Sequence, residues 1–448
     1  MLNFVSRESL IGKKTLLPTS GSIPSAYIGI DPTASSLHIG NFLSLMSLFH
    51  FQACGFRPII LFGGATGLIG DPSGKNSDRE QLSPEEVEAN ISCFQSNLSV
   101  LLNNMYSEEN TKEYFSHLEK TPEELASDIR FVNNVEFYQK MSVIEFIRDI
   151  GIKFRMNTLL SRDSVKNRLG TGDENSTSEG MTFTEFSYQL FQGYDFAQLN
   201  QKYNCTFQLG GSDQWGNIAS GIEYIRKTTG KEAFGATVNL LTDSKGEKLG
   251  KSAGNALMLD SRVNSPFNFY QFFINTQDDV VEKLLKNLTF MSNEKVEEII
   301  KDHQIKAFKQ DSDGNVEDER YAHKILAKTV TKMIHGEEAM KAIDATNAFF
   351  HRDIKNINKW SLEKLENHFI SVEKHQISLD DLSSFSTIAS AIFGQSKTQI
   401  RRLIRQGGVQ INSTKITADR HIEKSELLHG KYILIKLGKK NHCLCMVQ

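Results

Sequence analysis

Two short stretches of the chain carry residue types that can handle phosphate. His38-Ile39-Gly40-Asn41 falls where an extended apolar run gives way to helical periodicity. Free backbone N–H groups and the helix dipole favour a bound anion at such a point, and Gly40 removes the side chain that would hold a nucleotide off the backbone. Lys248-Leu249-Gly250-Lys251-Ser252 lies far along the chain on a glycine-bearing loop. Its two ammonium groups could close over a triphosphate and stabilise charge developing on a departing pyrophosphate. Each stretch alone has an ordinary reading, a helix cap and a solvated turn; together, in this order, they predict nucleotide chemistry. Two other glycine-rich stretches do not. "GGATGLIG" has the spacing G-x-x-G-x-x-G, which is not a dinucleotide fingerprint, and "GDPSGKN" places Ile69 and Asn76 where a P-loop needs Gly and Ser or Thr.

Elements must hold these groups in place. "SAYIGI" (25–30), "RPIILFGG" (57–64) and "CTFQLGG" (205–211) read as buried strands, and "NFLSLMSLFHFQACG" between the first two reads as a helix closed by Gly55. A strand–helix–strand unit predicts a parallel sheet with ligands at the carboxyl ends of its strands. Ser83-Pro84-Glu85-Glu86 opens a further helix as a capping box. Residues 264–370 read as nearly all helical, with "KQDSDGNVEDER" (309–320) as a solvated loop. Residues 371–382 read as a linker before a small basic module.

Bulk composition narrows the class. The 448 residues are 39% hydrophobic, enough for two or three globular domains. Five scattered cysteines without a C-x-x-C pair predict a reducing compartment and no zinc knuckle; Cys443-x-Cys445 beside His442 reads as structural. A net charge of −3 offers no global attraction to nucleic acid, so such binding needs a local basic face. No apolar run reaches membrane-spanning length, which predicts a soluble protein. Residues 1–30 carry Arg7, Lys13 and Lys14 against Glu8 with many Ser and Thr, a composition that suits an organelle transit segment and equally an ordinary N-terminus.

The stretches "YIGIDPTASSLHIGN", "GGATGLIGDPSGK", "TFTEFSYQLFQGYDF", "QLGGSDQWGNI" and "KLGKSAGNA" occur in this order. The chain thereby resembles the class I aminoacyl-tRNA synthetases, specifically the tyrosyl-tRNA synthetases of bacterial and organellar type. "HIGN" and "KLGKS" stand at the HIGH and KMSKS signatures. The resemblance implies an α/β architecture of three parts: a Rossmann-like parallel-sheet catalytic domain (1–263), an α-helical anticodon-binding domain (264–375) and a small α+β S-four-like RNA-binding domain (380–448). It implies an ATP-dependent tyrosine–tRNA ligase, with Mg2+ accompanying ATP, no tightly bound cofactor and no protein-held metal. The partners implied are L-tyrosine, ATP and tRNA(Tyr), with a homodimer and no membrane. Stretches such as "SLFHFQACG" and "SPFNFYQFF" look closer to mitochondrial relatives, so the expected location is the mitochondrial matrix, with cytoplasm as the alternative.

Laid on this sequence, the resemblance assigns Tyr27 and Asp195 to the substrate's phenolic hydroxyl, a group that both donates and accepts. Asp71, Tyr188 and Gln192 would hold its ammonium group; Tyr188, Gln192 and Asp195 share one helical face. Asp31 and Gln208 would line the same cleft. Gly29, Gly40, Asn41, Gly211, Asp213 and Gln214 fall to the nucleotide. Thr33 and His38 would grip the triphosphate, and Lys75, Arg79, Lys248, Lys251 and Ser252 the pyrophosphate. Two departures stand out: Ile28 replaces a cysteine common at the ribose, and Asn41 replaces the second histidine of the signature. Asn41 keeps a side-chain N–H donor for the ribose.

At the C-terminus "SKTQIRRLIRQGGVQIN" (396–412) reads as a helix capped by Ser396 and stopped at Gly407-Gly408, then a strand. Lys397, Arg401, Arg402 and Arg405 populate one face. Such a stripe is commonly just a solvated helix; the resemblance to an S-four-like module favours tRNA phosphates as its partner. Two competing readings are a tryptophanyl enzyme, disfavoured because an indole needs no Tyr27–Asp195 pair, and an RNA-binding or splicing factor on a retired synthetase fold, disfavoured because the phosphate and substrate groups are intact.

Overall fold

The apolar runs form one parallel five-stranded sheet, made of β1 (Ser25–Ile30), β2 (Arg57–Phe62), β3 (Arg130–Asn133), β4 (Cys205–Gly211) and β5 (Phe234–Val238). This computed structural model describes residues 23–73, 81–162, 165–166, 169, 180–239, 251–252, 255–309, 318–350, 360–369, 372, 374–378, 384–412, 414–438 and 441–447. The strand order is β3-β2-β1-β4-β5. The chain therefore runs outward from β1 to β3, then returns to the other side of β1 with β4. Such a reversal leaves a crevice at the carboxyl ends of β1 and β4, the place where doubly wound sheets bind ligands.

Burial explains the sheet's composition. Ala26, Tyr27, Ile28, Ile59, Ile60, Phe62 and Cys205 are almost wholly buried, as strands covered on both faces require. Helix α1 (Ile39–Ala53) follows β1 and buries Phe42, Leu45, Met46, Leu48 and Phe49 against it. It ends through Cys54 into Gly55, whose φ of 91° suits a residue without Cβ. Helix α2 (Pro84–Ser107) starts on the Ser83/Glu86 capping box read from the sequence. Helix α3 (Phe183–Tyr203) leads into β4, and α4 (Trp215–Thr229) leads out of it; Gly193 and Gly221 let the two approach, since a Cβ added at Gly221 would lie 3.5 Å from the Cα of Gly193.

The chain divides into two compact units, residues 1–259 with 283–293, and residues 260–282 with 294–448. In the second unit the helices Pro266–Ile274, Tyr321–His335 and Glu338–Phe350 pack on one another around Phe269, Phe273, Leu326 and Val330. Of the stretch read as a solvated loop, residues 310–317 lie outside the described residues; Asp318 pairs with Lys324 at 2.9 Å and Arg320 with Asp278 at 3.1 Å.

The linker expected at 371–382 is corrected in part. Residues Lys374–Ile377 form β8, which pairs in parallel with β12 (Asn441–Val447) and completes a second sheet. A strand that joins a sheet through backbone bonds needs no apolar run of its own, which is why composition missed it. With β9 (Val409–Ile411), β10 (Thr414–Lys415) and β11 (Tyr432–Leu437) the order is β10-β9-β11-β12-β8. Helix α5 (Lys397–Arg405) carries the predicted Ser396 cap, closed by Gln399, and buries Ile400 and Ile404 in a core with Ile433, Ile435, Cys443 and Cys445. Both cysteines are free thiols within that core, their sulfurs 3.7 Å apart.

Candidate active site

The first signature is built at the start of α1. His38 is the N-cap: its Nδ1 accepts the backbone N–H of Asn41 at 3.1 Å, while Asn41 Oδ1 accepts the backbone N–H of His38 at 3.0 Å. A neutral ring that accepts at Nδ1 carries its proton on Nε2, so His38 presents a donor. Asn41 thus has a role unforeseen in the sequence: its oxygen caps the helix. Its amide nitrogen has no partner among the described residues and remains available as a donor. Gly40 is needed because a Cβ there would lie 3.0 Å from the His38 ring.

The second signature reaches the first through backbone. Lys251–Ser252 and Asn255–Ala256 form the hairpin β6–β7, and the segment after it docks on the start of α1. Ile39 N–H donates to Leu257 at 2.9 Å, Leu259 N–H to Leu37 at 2.7 Å, and Met258 bridges His38. Lys75, Arg79 and Lys248 lie outside the described residues, as do the side chains of Lys251 and Ser252.

A second set of groups lies at the carboxyl ends of β1 and β4. Tyr27 and Gln208 are register partners on these strands, so both side chains leave the sheet on one face. Both are buried, and among the described residues the Tyr27 hydroxyl and Gln208 Oε1 have no hydrogen-bond partner; Gln192 Oε1 on α3 shares that state. Buried polar atoms left unpaired cost about 1–3 kcal/mol each, so three in one region mark a place built for a polar ligand. Burial first, then the nearby Asp195 carboxyl, holds the Tyr27 hydroxyl far above its usual range, keeping it a neutral phenol.

Asp195 is 2% exposed, and burial raises its carboxyl to about 7 against the hydrogen bonds it accepts. Those bonds come from the Tyr138 hydroxyl at 2.6 Å and Asn134 Nδ2 at 2.8 Å. Tyr188, two turns earlier on α3, donates to Asp31 at 2.7 Å. Asp31 also accepts from Thr66 at 2.7 Å, and Gly63 is obligatory beside it because a Cβ would fall 1.9 Å from Asp31 Oδ1. Asp71 is held by Gln214 Nε2 at 2.6 Å and by the backbone N–H of Ser73 at 3.0 Å. Gln214 also reaches Asp213 at 3.2 Å, joining the groups after β4, beyond Gly211, to Asp71. Thr33 is exposed at the mouth of the crevice. Gly29 is exposed within an otherwise buried strand, and a Cβ there would meet nothing within 4 Å: the sheet is open at this point.

Comparisons with known proteins identify the family. The family model described as class I tRNA synthetases (W and Y) matches residues 20–351, and the model of a tyrosine–tRNA ligase C-terminal domain matches residues 364–445. The tyrosine–tRNA ligase of Bacteroides thetaiotaomicron is 38% identical over 437 residues, covering 95% of this chain and 93% of that one. That of Clostridium botulinum strain Loch Maree is 38% identical over 435 residues, covering 97% and 93%. Among solved structures, a C-terminally truncated mitochondrial tyrosyl-tRNA synthetase of Aspergillus nidulans superposes with a TM-score of 0.60 at 31% identity, covering 73% of this chain and 86% of that one. The chain belongs to the tyrosine–tRNA ligase family.

Within this ligase the residues that sequence reasoning missed are those acting on another side chain. Asn134, fully buried after β3, accepts the N–H of Ala65 at 2.7 Å and donates to Asp195 and to Thr66. Tyr138 follows one turn later. Neither sits in a signature stretch, and no pattern along the chain flags a contact made only when β3 reaches the sheet. The one grouping with metal-ligand residue types among the described residues, Asp278, His303 and His323, lies elsewhere in the ligase. There Arg320 sits 2.9 Å from His323 Nε2 and 3.1 Å from Asp278, so a guanidinium already takes the place of a cation.

The C-terminal basic face is partly committed. Arg401 Nε donates to Asp419 at 2.8 Å, while Lys397, Arg402 and Arg405 are exposed along α5. No helix among the described residues is long and apolar enough to cross a membrane.

Proposed function

We propose that the chain charges tRNA(Tyr) in two steps at this crevice. L-tyrosine enters with its phenolic hydroxyl donating to Asp195 and accepting from Tyr27, and with its ammonium group at Asp71, Tyr188 and Gln192. One carboxylate oxygen then attacks the α-phosphorus of ATP; the bond to the bridging oxygen breaks and pyrophosphate leaves with the electron pair. Thr33, His38 through its Nε2–H, and Lys75, Arg79, Lys248, Lys251 and Ser252 stabilise the phosphates, so that catalysis is positioning plus electrostatics. Gly29, Gly40 and Asn41 make room for and bind the ribose side, with Gly211, Asp213 and Gln214 opposite. The terminal ribose hydroxyl of tRNA attacks the adenylate carbonyl and releases AMP. Magnesium arrives on the ATP phosphates, as suits an ion that keeps several waters.

The observation that carries this reading is the trio of buried, unpartnered atoms on Tyr27, Gln192 and Gln208 beside Asp195, below a helix start whose cap fixes a histidine donor. Tyrosine-dependent ATP–pyrophosphate exchange, run beside tryptophan, tests it. Equal exchange with tryptophan, or none with tyrosine, overturns it.

The helices of residues 264–375 are read as the anticodon-binding part, and residues 380–448, joined by β8, as the RNA-binding module with Lys397, Arg402 and Arg405 on phosphates. A homodimer is supported by an apolar face on the first unit, where Phe183 is 79% exposed, Val143 74% and Ile144 73%, beside a 590 Å³ groove floored by Phe146, Phe186 and Phe191. Monomers rarely leave such a patch uncovered, and a second copy would bury it. The mitochondrial matrix is the preferred location because two solved neighbours at 31% identity are mitochondrial enzymes of Aspergillus nidulans and Coccidioides posadasii; the bacterial relatives keep cytoplasm as the alternative. Imaging the full chain with a C-terminal tag decides between them.

A further inference from the structure

Among the described residues Asp195 accepts two hydrogen bonds, and their donors are held very differently. Asn134 is locked from both ends, its oxygen on Ala65 N–H and its amide shared between Asp195 and Thr66. Tyr138 has one hydroxyl proton and two acceptors in reach, Asp195 Oδ1 at 2.6 Å and the Phe191 carbonyl at 3.0 Å. Its ring is fixed against Phe191 and Tyr194, with centroids 5.1 and 5.7 Å away. The hydroxyl is thus set by packing, and the shorter contact is the one to the carboxyl.

Two states of Asp195 are chemically distinct toward a ligand. An ionised carboxylate is an acceptor only and leaves a buried charge unpaired when the ligand brings no hydroxyl. A protonated one can donate to Tyr138, whose own hydroxyl then donates its hydrogen bond to the Phe191 carbonyl, and it makes no demand on the ligand. Only the first rejects phenylalanine strongly, since discrimination rests on leaving a buried polar group unpaired. The ionisable groups facing Asp195 are Tyr27 from β1, Asp31 just beyond it, Tyr138, and Tyr188 and Tyr194 of its own helix. Burial and Asp31 favour protonation; the bonds from Tyr138 and Asn134 oppose it, that from Tyr138 the more.

We propose that Tyr138 is a positioning residue for tyrosine selection, holding Asp195 as an oriented acceptor for the substrate's phenolic hydroxyl without touching the substrate. The inference rests on the assignment of Asp195 to that hydroxyl. The test is Tyr138→Phe in the full chain, which keeps the ring and its packing. Tyrosine- and phenylalanine-dependent pyrophosphate exchange is followed from pH 6 to 9, with Asp195→Ala in parallel. Loss of a hydrogen bond to a charged group predicts a rise in KM for tyrosine of about tenfold at pH 7 with little change in kcat, and an equal fall in discrimination. The acid limb of kcat/KM for tyrosine moves to higher pH, a change that lost packing alone does not produce. Tyr138→Phe with the wild-type limb and discrimination overturns the proposal, whatever its melting temperature. Asp195→Ala with undiminished discrimination instead overturns the assignment beneath it.

Discussion

Replacing Asp195 by Asn removes a carboxyl whose ionisation the fold resists, so the variant's stability advantage should grow with pH. Its carboxyl is raised to about 7, chiefly by burial, whereas an unfolded chain releases that proton near the ordinary value of about 3.9. Between these values the folded protein holds more protons than the unfolded one, so stability falls as pH rises, and the loss is complete above the folded value. Integrating that difference, the burden is about 1–2 kcal/mol at pH 5 and about 4 kcal/mol at pH 8. Asn keeps the shape and cannot titrate. Whatever fixed cost it incurs against Tyr138 and Asn134 is the same at both pH values and cancels. The variant should therefore gain roughly 2–3 kcal/mol relative to the natural chain between pH 5 and pH 8. Urea unfolding of both proteins without tyrosine, followed by a probe in the first unit, measures this. A stability difference that stays constant, or shrinks, refutes the account of Asp195 as a buried acceptor kept charged for its substrate.

Other outcomes follow from the geometry. Asn41→Asp retains the capping acceptor but loses the amide donor, so it should melt near the natural chain yet slow adenylate formation by about 1 kcal/mol or more, whereas Asn41→Gly should lose both; pre-steady-state adenylate formation and thermal melting separate them. Gly29→Val fills the opening in β1 and should raise KM for ATP at least about tenfold while leaving tyrosine binding unchanged, by equilibrium dialysis of tyrosine alone. Because β8 belongs to the C-terminal sheet, truncation should be made before Trp360; the shortened chain should exchange pyrophosphate normally and charge tRNA poorly. In the full chain, neutralising Lys397, Arg402 and Arg405 should flatten the salt dependence of tRNA affinity by about 0.7–0.9 per charge. Phe183→Glu with Val143→Asp should convert a sedimenting dimer to monomer at micromolar concentration, and a species unchanged in mass would remove that face as the interface.

How much could be read in advance depends on where each feature's cause lies. Strands β1, β2 and β4 were legible because both their faces are buried and their sequences are continuously apolar. The caps at Ser83 and Ser396 were legible because the donor and acceptor stand three residues apart. Strand β3 was not: two of its four residues are exposed, and it becomes a strand by pairing with β2. The same holds for β8. In the candidate site, Tyr27, Asp195 and His38 belong to stretches that carry the family resemblance. Asn134 and Tyr138 act through Asp195, and their position is created by β3, so no local spacing announces them. The bond from Tyr188 to Asp31 spans β1 and α3, so no local spacing announces it either.

The strand order also governs when the crevice can exist. Strand β1 is central, with β2 arriving soon after it, yet its other edge is covered only by β4; Ser25 Oγ bonds the carbonyl of Tyr203, 178 residues further along. During synthesis the early strands and α1 can assemble first, and until β4 emerges β1 presents a bare apolar edge of the kind that invites pairing between chains. The residues proposed to face L-tyrosine come from both sides of this seam, Tyr27 and Asp31 before it and Asp195 and Gln208 at its closing. The nascent chain therefore gains its substrate site in the same event that removes its aggregation hazard. Ligand added during refolding should act late, on the docking of β4, and should leave the formation of the earlier half unchanged.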